Sequence, residues 1–399
     1  MSLALIQLIS EESMQNLLPV LALRPARLLH LVTPKVRDRS GPIAVAARLS
    51  QIKVDPEPIH LPEMPSIRET FAAARNAIRE VRATGGLPVV NFTGGTKLMS
   101  IGAFSAALQE KVPSLYVDTE HGRFLDGTTG DGLVSVLGED QTFQTLQSTL
   151  RVHSVALANG CPSASKGKDW SKYLPLTDRF LAHPDEERHC HEIFHGPTGL
   201  CPKGREPRKK QDWLALARQP LGLSRETGEL GVRAGLLEEN ERGEFTLAHP
   251  SADPQPVQFA VNFFTGGWWE VAVIRAADDA GLFTDLRWSA NFGVQSPNGK
   301  LEEDVVGLDG VQIVYCSCKR SAHGQRPLAH LEEIEARARR IGGKFARKFF
   351  AVYLPITDRS LRESLRQRAA ALNIRIVGPD ELAQPGGFAR AQSAVGSGY

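Results

Sequence analysis

"LPVVNFTGGTKLMSIGAFSAAL", residues 87–108, runs from an apolar stretch through Thr-Gly-Gly-Thr-Lys directly into a helix-like pattern. A buried strand, a glycine turn and a helix start in that order gather unpaired main-chain N–H groups and the positive end of a helix dipole at one point, which favours an anion. The glycines admit a close visitor, the hydroxyls of Thr93 and Thr96 can bond phosphate or ribose, and Lys97 adds a charge. The turn is neither a Walker A loop, whose glycine directly before the lysine is here Thr96, nor a GxGxxG fingerprint. Two readings stand at this point: a phosphate or nucleotide site, or a tight turn beside a solvated lysine.

On either side of this stretch, strand and helix signals alternate. Residues 3–10 (LALIQLIS) and 27–34 (RLLHLVTP) read as strands and 14–23 as a helix. Residues 66–84 form an amphipathic helix, with Ile67, Phe71, Ala74, Ile78 and Val81 at three- and four-residue steps. A further strand is expected at 114–118. Such alternation implies a mostly parallel sheet with helices on both faces, whose ligands bind at the carboxyl ends of the strands. Residues 151–170 read as a connection, rich in Gly, Ser and Lys. Between 171 and 250 a helix ending "AGLLEE" meets a short "EFTLA" strand, the outline of a winged helix, and the prolines of 250–258 suggest a linker. The last 140 residues or so return to α/β alternation.

At 399 residues the chain exceeds one ordinary core, and its 42% hydrophobic and 23% charged residues are those of a globular protein. A net charge of +2 leaves nucleic-acid contact to local basic patches. The apolar start lacks a basic segment and reads as a buried strand rather than a signal peptide, and no apolar run is long enough for a membrane span. Five cysteines in a chain this size suggest reduced thiols, and the expectation is a cytoplasmic protein without membrane contact.

A second constellation lies near the C-terminus: Glu270 on a helix, Glu302, Glu303 and Asp304 opening a strand, and Lys319 ending the next. Carboxylates that hold Mg²⁺ or Mn²⁺ against a scissile phosphate, with a lysine to assist attack, are the parts that metal-dependent phosphodiester cleavage needs. Residues 202–210 carry five cations in nine positions, and Arg337, Arg339, Arg340, Lys344, Arg347 and Lys348 follow the constellation. They suit a nucleic-acid substrate or, equally, a solvated loop and helix face. His183, His189, Cys190, His191, His195 and Cys201 lack zinc-finger spacing and read as a His-rich surface turn.

The segment "NFTGGTKLM" after a buried strand, in a chain that opens "LALIQLIS…RLLHLVTP", resembles the CARF domain of CRISPR-associated proteins. The nearest likeness is to the subgroup with a restriction-type nuclease domain at the back. That resemblance implies a Rossmann-like α/β CARF domain at the front and a restriction-endonuclease-like α/β domain at the back; joined to the pattern read above, the expected bounds are 1–150 for the first, 151–250 for the linker and winged-helix-like region, and 251–399 for the last. It implies a homodimer that binds a cyclic oligoadenylate, cyclic tetraadenylate first, through Thr93, Gly94, Gly95, Thr96 and Lys97, joined by Ser10, Glu11 and Thr33. It also implies a DNA or RNA substrate. In the back domain the resemblance is to the PD-(D/E)xK core: Asp304 and Lys319 match the pattern, and Glu270 matches the helical acid of many members. Glu270 and Asp304 would then be the metal ligands, for Mn²⁺ or Mg²⁺.

One position departs from that core. Ser317 stands where the family has its second acid, two residues before the lysine, and a hydroxyl is a poor ligand for a hard cation. Three outcomes follow: rescue by Glu302, Glu303 or Glu270, metal held through water at Ser317, or a weak or dead nuclease. The rival readings are a ligand-responsive DNA-binding regulator with a decayed nuclease core, and an enzyme that degrades its own cyclic ligand.

Overall fold

The structure, a computed structural model, describes residues 2–120, 122–130, 132–135, 146–153, 155–157, 169–202, 207, 209–249, 254–294, 300–322, 327–384, 386–388 and 390. Cys161, most of the 151–170 connection, the cations Lys203, Arg205 and Arg208, and the first part of the 250–258 linker lie outside the described residues.

The front unit comprises β1 (Leu3–Leu8), α1 (Met14–Leu23), β2 (Arg27–Val32), α2 (Ser40–Leu49), β3 (Pro56–His60), α3 (Ile67–Ala83), β4 (Leu87–Asn91), α4 (Lys97–Glu110), β5 (Ser114–Asp118), β6 (Arg123–Asp126) and β7 (Gly132–Ser135). Its sheet runs β3-β2-β1-β4-β5-β6-β7, parallel from β3 to β5 and antiparallel in β6 and β7. Alternate residues of β1 serve opposite faces, as a sheet covered on both sides requires. Leu5 packs with Leu17, Leu21, Ile43 and Ala47 of α1 and α2, whereas Ala4, Ile6 and Leu8 pack with Ala74, Ile78, Met99 and Ala103 of α3 and α4. The helix expected at 66–84 forms, opened by a capping box in which Ser66 and Glu69 exchange hydrogen bonds of 2.8 and 3.2 Å. Strand β3 escapes the sequence pattern because its two prolines place it at the sheet edge, where their missing donors cost nothing.

The chain continues through α5 (Leu146–Val152) and β8 (Val155–Leu157) into α6 (Leu174–Ala182), α7 (Pro184–His195), α8 (Lys210–Ala217), α9 (Arg225–Arg233), β9 (Leu237–Glu239) and β10 (Phe245–Leu247). Two helices followed by an antiparallel hairpin keep the order that the winged-helix outline suggested. The expected helix end "AGLLEE" is instead a turn and the first hairpin strand, because α9 stops at Arg233. The histidines expected on a surface turn lie on α7, or at its start in the case of His183. Cys190 and Cys201 are buried in the back core.

Next come α10 (Gln255–Asn262), α11 (Trp268–Asp279), β11 (Asp285–Val294), β12 (Lys300–Asp309), β13 (Gln312–Lys319), α12 (Ala329–Gly342), β14 (Arg347–Val352), α13 (Arg359–Ala371) and β15 (Ile374–Val377). The back sheet runs β15-β14-β13-β12-β11-β8. Thus the stretch read as a connection lends a strand, β8, to the back sheet, where it pairs antiparallel with β11. One face packs against α11 and the middle helices, the other against α12 and α13. No described helix is long and apolar enough to cross a membrane.

Candidate functional site

The front cradle sits where the carboxyl ends of β2, β1 and β4 lie side by side. The chain leaves β1 toward β2 and returns to pair β4 on the other side of β1, so this is the switch point at which open α/β sheets bind ligands. Ser10 and Glu11 follow β1, Thr33 follows β2, and Thr93–Lys97 follow β4. All eight residues expected in a ligand shell therefore share one end of the sheet.

The turn itself is built tightly. A side chain at Gly94 would collide with the Leu8 carbonyl, and Gly95 adopts φ +77°, the left-handed region that glycine fills without strain. Both glycines are thus required by the fold, whatever approaches from outside. The Thr93 hydroxyl donates to Asn91 Oδ1 at 2.7 Å and accepts from Val117 N at 2.7 Å. Thr96 Oγ1 caps α4, accepting from Met99 N at 3.3 Å. Ser10 Oγ donates to the Glu12 carbonyl at 3.2 Å and accepts from Gln15. The hydroxyls that the sequence offered to a ligand are spent on holding the loops. What faces outward is the exposed pair Gly95 and Thr96, the start of a 14-residue helix, and Lys97, which makes no ion pair with any described residue; the Thr96 N–H itself donates to Met99 Sδ at 3.5 Å. Glu11 pairs with Lys35 at 2.8 Å in solvent, and that partner lowers its pKa. Thr33 is almost fully buried.

Beneath the cradle runs a buried polar chain that the sequence pattern concealed. Asn91 Nδ2 donates to Gln7 Oε1 at 3.3 Å, Gln7 Nε2 lies 2.9 Å from His30 Nε2, and His30 Nδ1 lies 2.9 Å from Ser40 Oγ. Burial pulls the His30 pKa down to about 3, so the imidazole is neutral and both ring nitrogens serve the chain. A histidine depressed in this way lets the unfolded chain take up the proton first. Stability contributed by His30 is therefore present above about pH 6.5 and lost as pH falls toward 3. Urea titrations between pH 7 and 4 are expected to show the front unit weakening with acid, with a shallower slope in His30→Asn.

The back site surrounds a cavity of about 440 Å³ lined by Glu270, Asp304, Ser317, Lys319, Arg320, Glu333 and Arg337, among others. Trp288↔Val305 and Ala290↔Glu303 pair across β11 and β12, but the ladder breaks between them, where Ser289 has φ +46°. The register is the same on both sides, so Ser289 and Asp304 are opposite residues left out of the ladder, one on each strand. Asp304 turns toward β13, and its Oδ2 accepts from Cys318 N at 2.6 Å, Lys319 Nζ at 3.1 Å and Ser317 Oγ at 3.2 Å. Burial opposes the charge on Lys319, yet the Asp304 carboxylate, with Glu270 behind it, holds its pKa above the ordinary lysine value. Lys319 is therefore a fixed cation rather than a proton acceptor.

The spare acids of the sequence divide. Glu303 is fully buried and turned to Arg337, 3.1 Å away, and burial raises its pKa; it is not part of the cavity wall. The side chain of Glu302 lies outside the described residues. Glu333, which spacing did not single out, lines the cavity from α12, paired with Arg337 at 2.6 Å. The i,i+4 placement of Glu333 and Arg337 on one flank of an amphipathic helix was the available signal. Trp288, Phe259 and Phe263 also line the cavity, brought there by folding from three elements. Among the described residues, no three His, Cys, Asp or Glu side chains are close enough to hold a metal ion; this includes the histidines of α7. Besides Glu333, which Arg337 engages, the carboxylates Glu270 and Asp304 line the cavity, and such hard oxygen donors suit Mg²⁺ or Mn²⁺ completed by water and phosphate oxygens.

Residues 4–126, the front of the chain, match the family model of the Card1 CARF domain. No curated protein matches the sequence. Among solved structures, Can2 from Sulfobacillus thermosulfidooxidans, determined in complex with cyclic tetra-adenylate, is similar over 99% of this chain and 97% of its own, at 19% identity and a TM-score of 0.67. Protein VC1899 from Vibrio cholerae is similar over 99% of both chains, at 15% identity and a TM-score of 0.73. A type III CRISPR defence DNA nuclease activated by cyclic oligoadenylate matches 88% of this chain, at 15% identity and a TM-score of 0.55; the match spans 45% of that nuclease. At these identities the likeness is one of fold.

Proposed function

We propose that this chain is an effector nuclease of type III CRISPR defence, switched on by a cyclic oligoadenylate, cyclic tetraadenylate first, and cutting DNA or RNA with Mn²⁺ or Mg²⁺. One observation carries the reading: a match to the CARF family model and a cavity holding Glu270, Asp304 and a charged Lys319 occur in one chain. The Can2 complex with cyclic tetra-adenylate, a protein of the same fold, supports the choice of ligand.

In the cradle, phosphates of the ring would meet the first-turn N–H groups of α4 and the Lys97 ammonium. Two copies would embrace the ring, and the half-exposed stripe of Leu98, Ile101 and Leu108 on α4 is the apolar face available for that contact. Sedimentation of Ile101→Asp, expected to run as a monomer where the parent runs as a dimer, tests this. At the back, Glu270 and Asp304 would hold the cation, which when bound polarises a phosphoryl oxygen. Ser317 does not replace the missing acid; its hydroxyl orients Asp304. Lys319 keeps its charge beside the phosphate and stabilises the negative charge that develops there.

A single strand links the two sites. Val311, just before β13, packs in the front core, and Gln312 Nε2 donates to the Glu120 carbonyl at 2.7 Å, while the far end of β13 carries Ser317 and Lys319. A ring that prefers one arrangement of the front unit would shift the back site through this strand, in proportion to its differential affinity.

The test is purified protein with Mn²⁺, plasmid and single-stranded substrates, with and without cyclic tetraadenylate. Cleavage that needs both ligand and metal is the expected result. Cleavage without the ring overturns the gating. Ligand-dependent binding of a specific duplex without cleavage would favour the regulator reading, for which Ser317 is the supporting observation. Loss of the ring itself would indicate that the cradle degrades its ligand.

A further inference from the structure

Two arginines line the back cavity beside the Asp304–Lys319 pair, and each is tied by a glutamate with no appreciable exposure. Arg320 Nε donates to Glu187 Oε1 at 2.6 Å and its Nη2 to Oε2 at 3.0 Å. Arg337 Nη1 donates to Glu303 Oε2 at 3.1 Å and its Nη2 pairs with Glu333 Oε1 at 2.6 Å, so both of its ends are engaged by carboxylates. Glu187 is 1% exposed and Glu303 0%, so two buried charges from separate parts of the chain, α7 and β12, are committed to the same cavity wall.

A buried ion pair is a weak source of stability, since apolar residues of similar volume commonly do as well. What such a pair does supply is orientation. Glu187 engages Arg320 along the Nε–Nη2 side, which leaves the Nη1 donors and the second Nη2 donor directed away from it. Arg320 has no other ion-pair partner among the described residues. It retains 16% exposure of its side chain and borders the cavity directly after Lys319 in sequence. An arginine with a pinned flank and a free donor edge is preorganised for an oxygen anion of tetrahedral geometry.

We propose that Arg320 binds a backbone phosphate of the nucleic acid at this cavity, with Glu187 as the positioning residue that holds its guanidinium group in place. The proposal rests on the nuclease reading and adds to it a residue that grips the substrate. It also gives the middle region a task, because α7 supplies the tie to Arg320.

The experiment measures anisotropy of a labelled single-stranded oligonucleotide on the full-length protein, with cyclic tetraadenylate and EDTA, across a salt series. Arg320→Ala is expected to weaken binding about tenfold and to reduce the slope of log affinity against log salt by about 0.7, the share of one phosphate contact on a single strand. Arg320→Lys should restore the slope but not the affinity, since an ammonium keeps the charge and loses the fork. Glu187→Gln should raise KM for cleavage several-fold with kcat nearly unchanged. Should that variant fold poorly, the pair Glu187→Gln with Arg320→Met removes both charges together and is expected to melt near the parent temperature while binding as weakly as Arg320→Ala.

Parental affinity and slope in Arg320→Ala overturn the proposal and leave Arg320 as a structural tie. If the parent protein cuts nucleic acid and Arg320→Ala binds unchanged, this inference falls and the nuclease reading stands. If the parent never cuts, yet Arg320→Ala lowers the slope, the nuclease reading falls and the phosphate contact stands.

Discussion

Replacing Lys319 with methionine is expected to reduce single-turnover cleavage by about 10²–10³, the usual loss when one preorganised electrostatic contact to a transition state is removed. The fold should survive. Asp304 Oδ2 would keep two donors, Cys318 N at 2.6 Å and Ser317 Oγ at 3.2 Å, so no buried carboxylate is stranded. Methionine preserves the length and packing of the stem. The separation of effects is the point of the experiment: a rate collapse with a melting temperature within a few degrees of the parent assigns Lys319 to chemistry. Equal loss of rate and of folded protein would make the pair a structural clamp. Undiminished cleavage in this variant would remove the back cavity from the mechanism.

Gly94→Ala is expected to be the most damaging small change in the front unit. The added methyl would meet main chain, the Leu8 carbonyl at the end of β1, and main chain cannot rotate away as a flexible side chain does. The strain should cost about 1–3 kcal/mol of stability, as overpacking usually does. It would also push the turn off β1 and disturb the Thr93 bonds to Asn91 and Val117 that hold it. Calorimetric titration with cyclic tetraadenylate should show binding lost or weakened more than tenfold. Lys97→Met is the matched control. It sits exposed at the helix start, so it should weaken binding with little change in melting temperature. If Gly94→Ala binds the ring as the parent does, the turn is not part of the cradle.

Much of the architecture was legible because its signals are local. The strands at 3–8, 27–32, 87–91 and 114–118 are short apolar runs, and the helix at 67–83 repeats its apolar residues at helical steps. What escaped depends on partners distant in sequence. Strand β3 exists because β2 offers it an edge, and β8 exists because β11 does, so neither Pro-Glu-Pro-Ile-His nor Val-Ala-Leu carries a pattern of its own. The "AGLLEE" segment looked helical by composition, but pairing with Phe245–Leu247 made its end a strand.

The candidate sites divide in the same way. Sequence alone set out the strand–glycine–helix order of the cradle and the acid, acid, lysine order of the back site, because bond geometry and the chemistry of each residue type travel with the chain. Tertiary structure decided which groups are free to act. It committed the Thr93 and Thr96 hydroxyls to the turn, sent Glu303 to Arg337 instead of the cavity, and brought Glu333, Arg320 and Trp288 to a wall they share with Lys319. Hydrogen bonds and burial are settled between elements that meet only after folding, and a one-dimensional spacing holds no record of them.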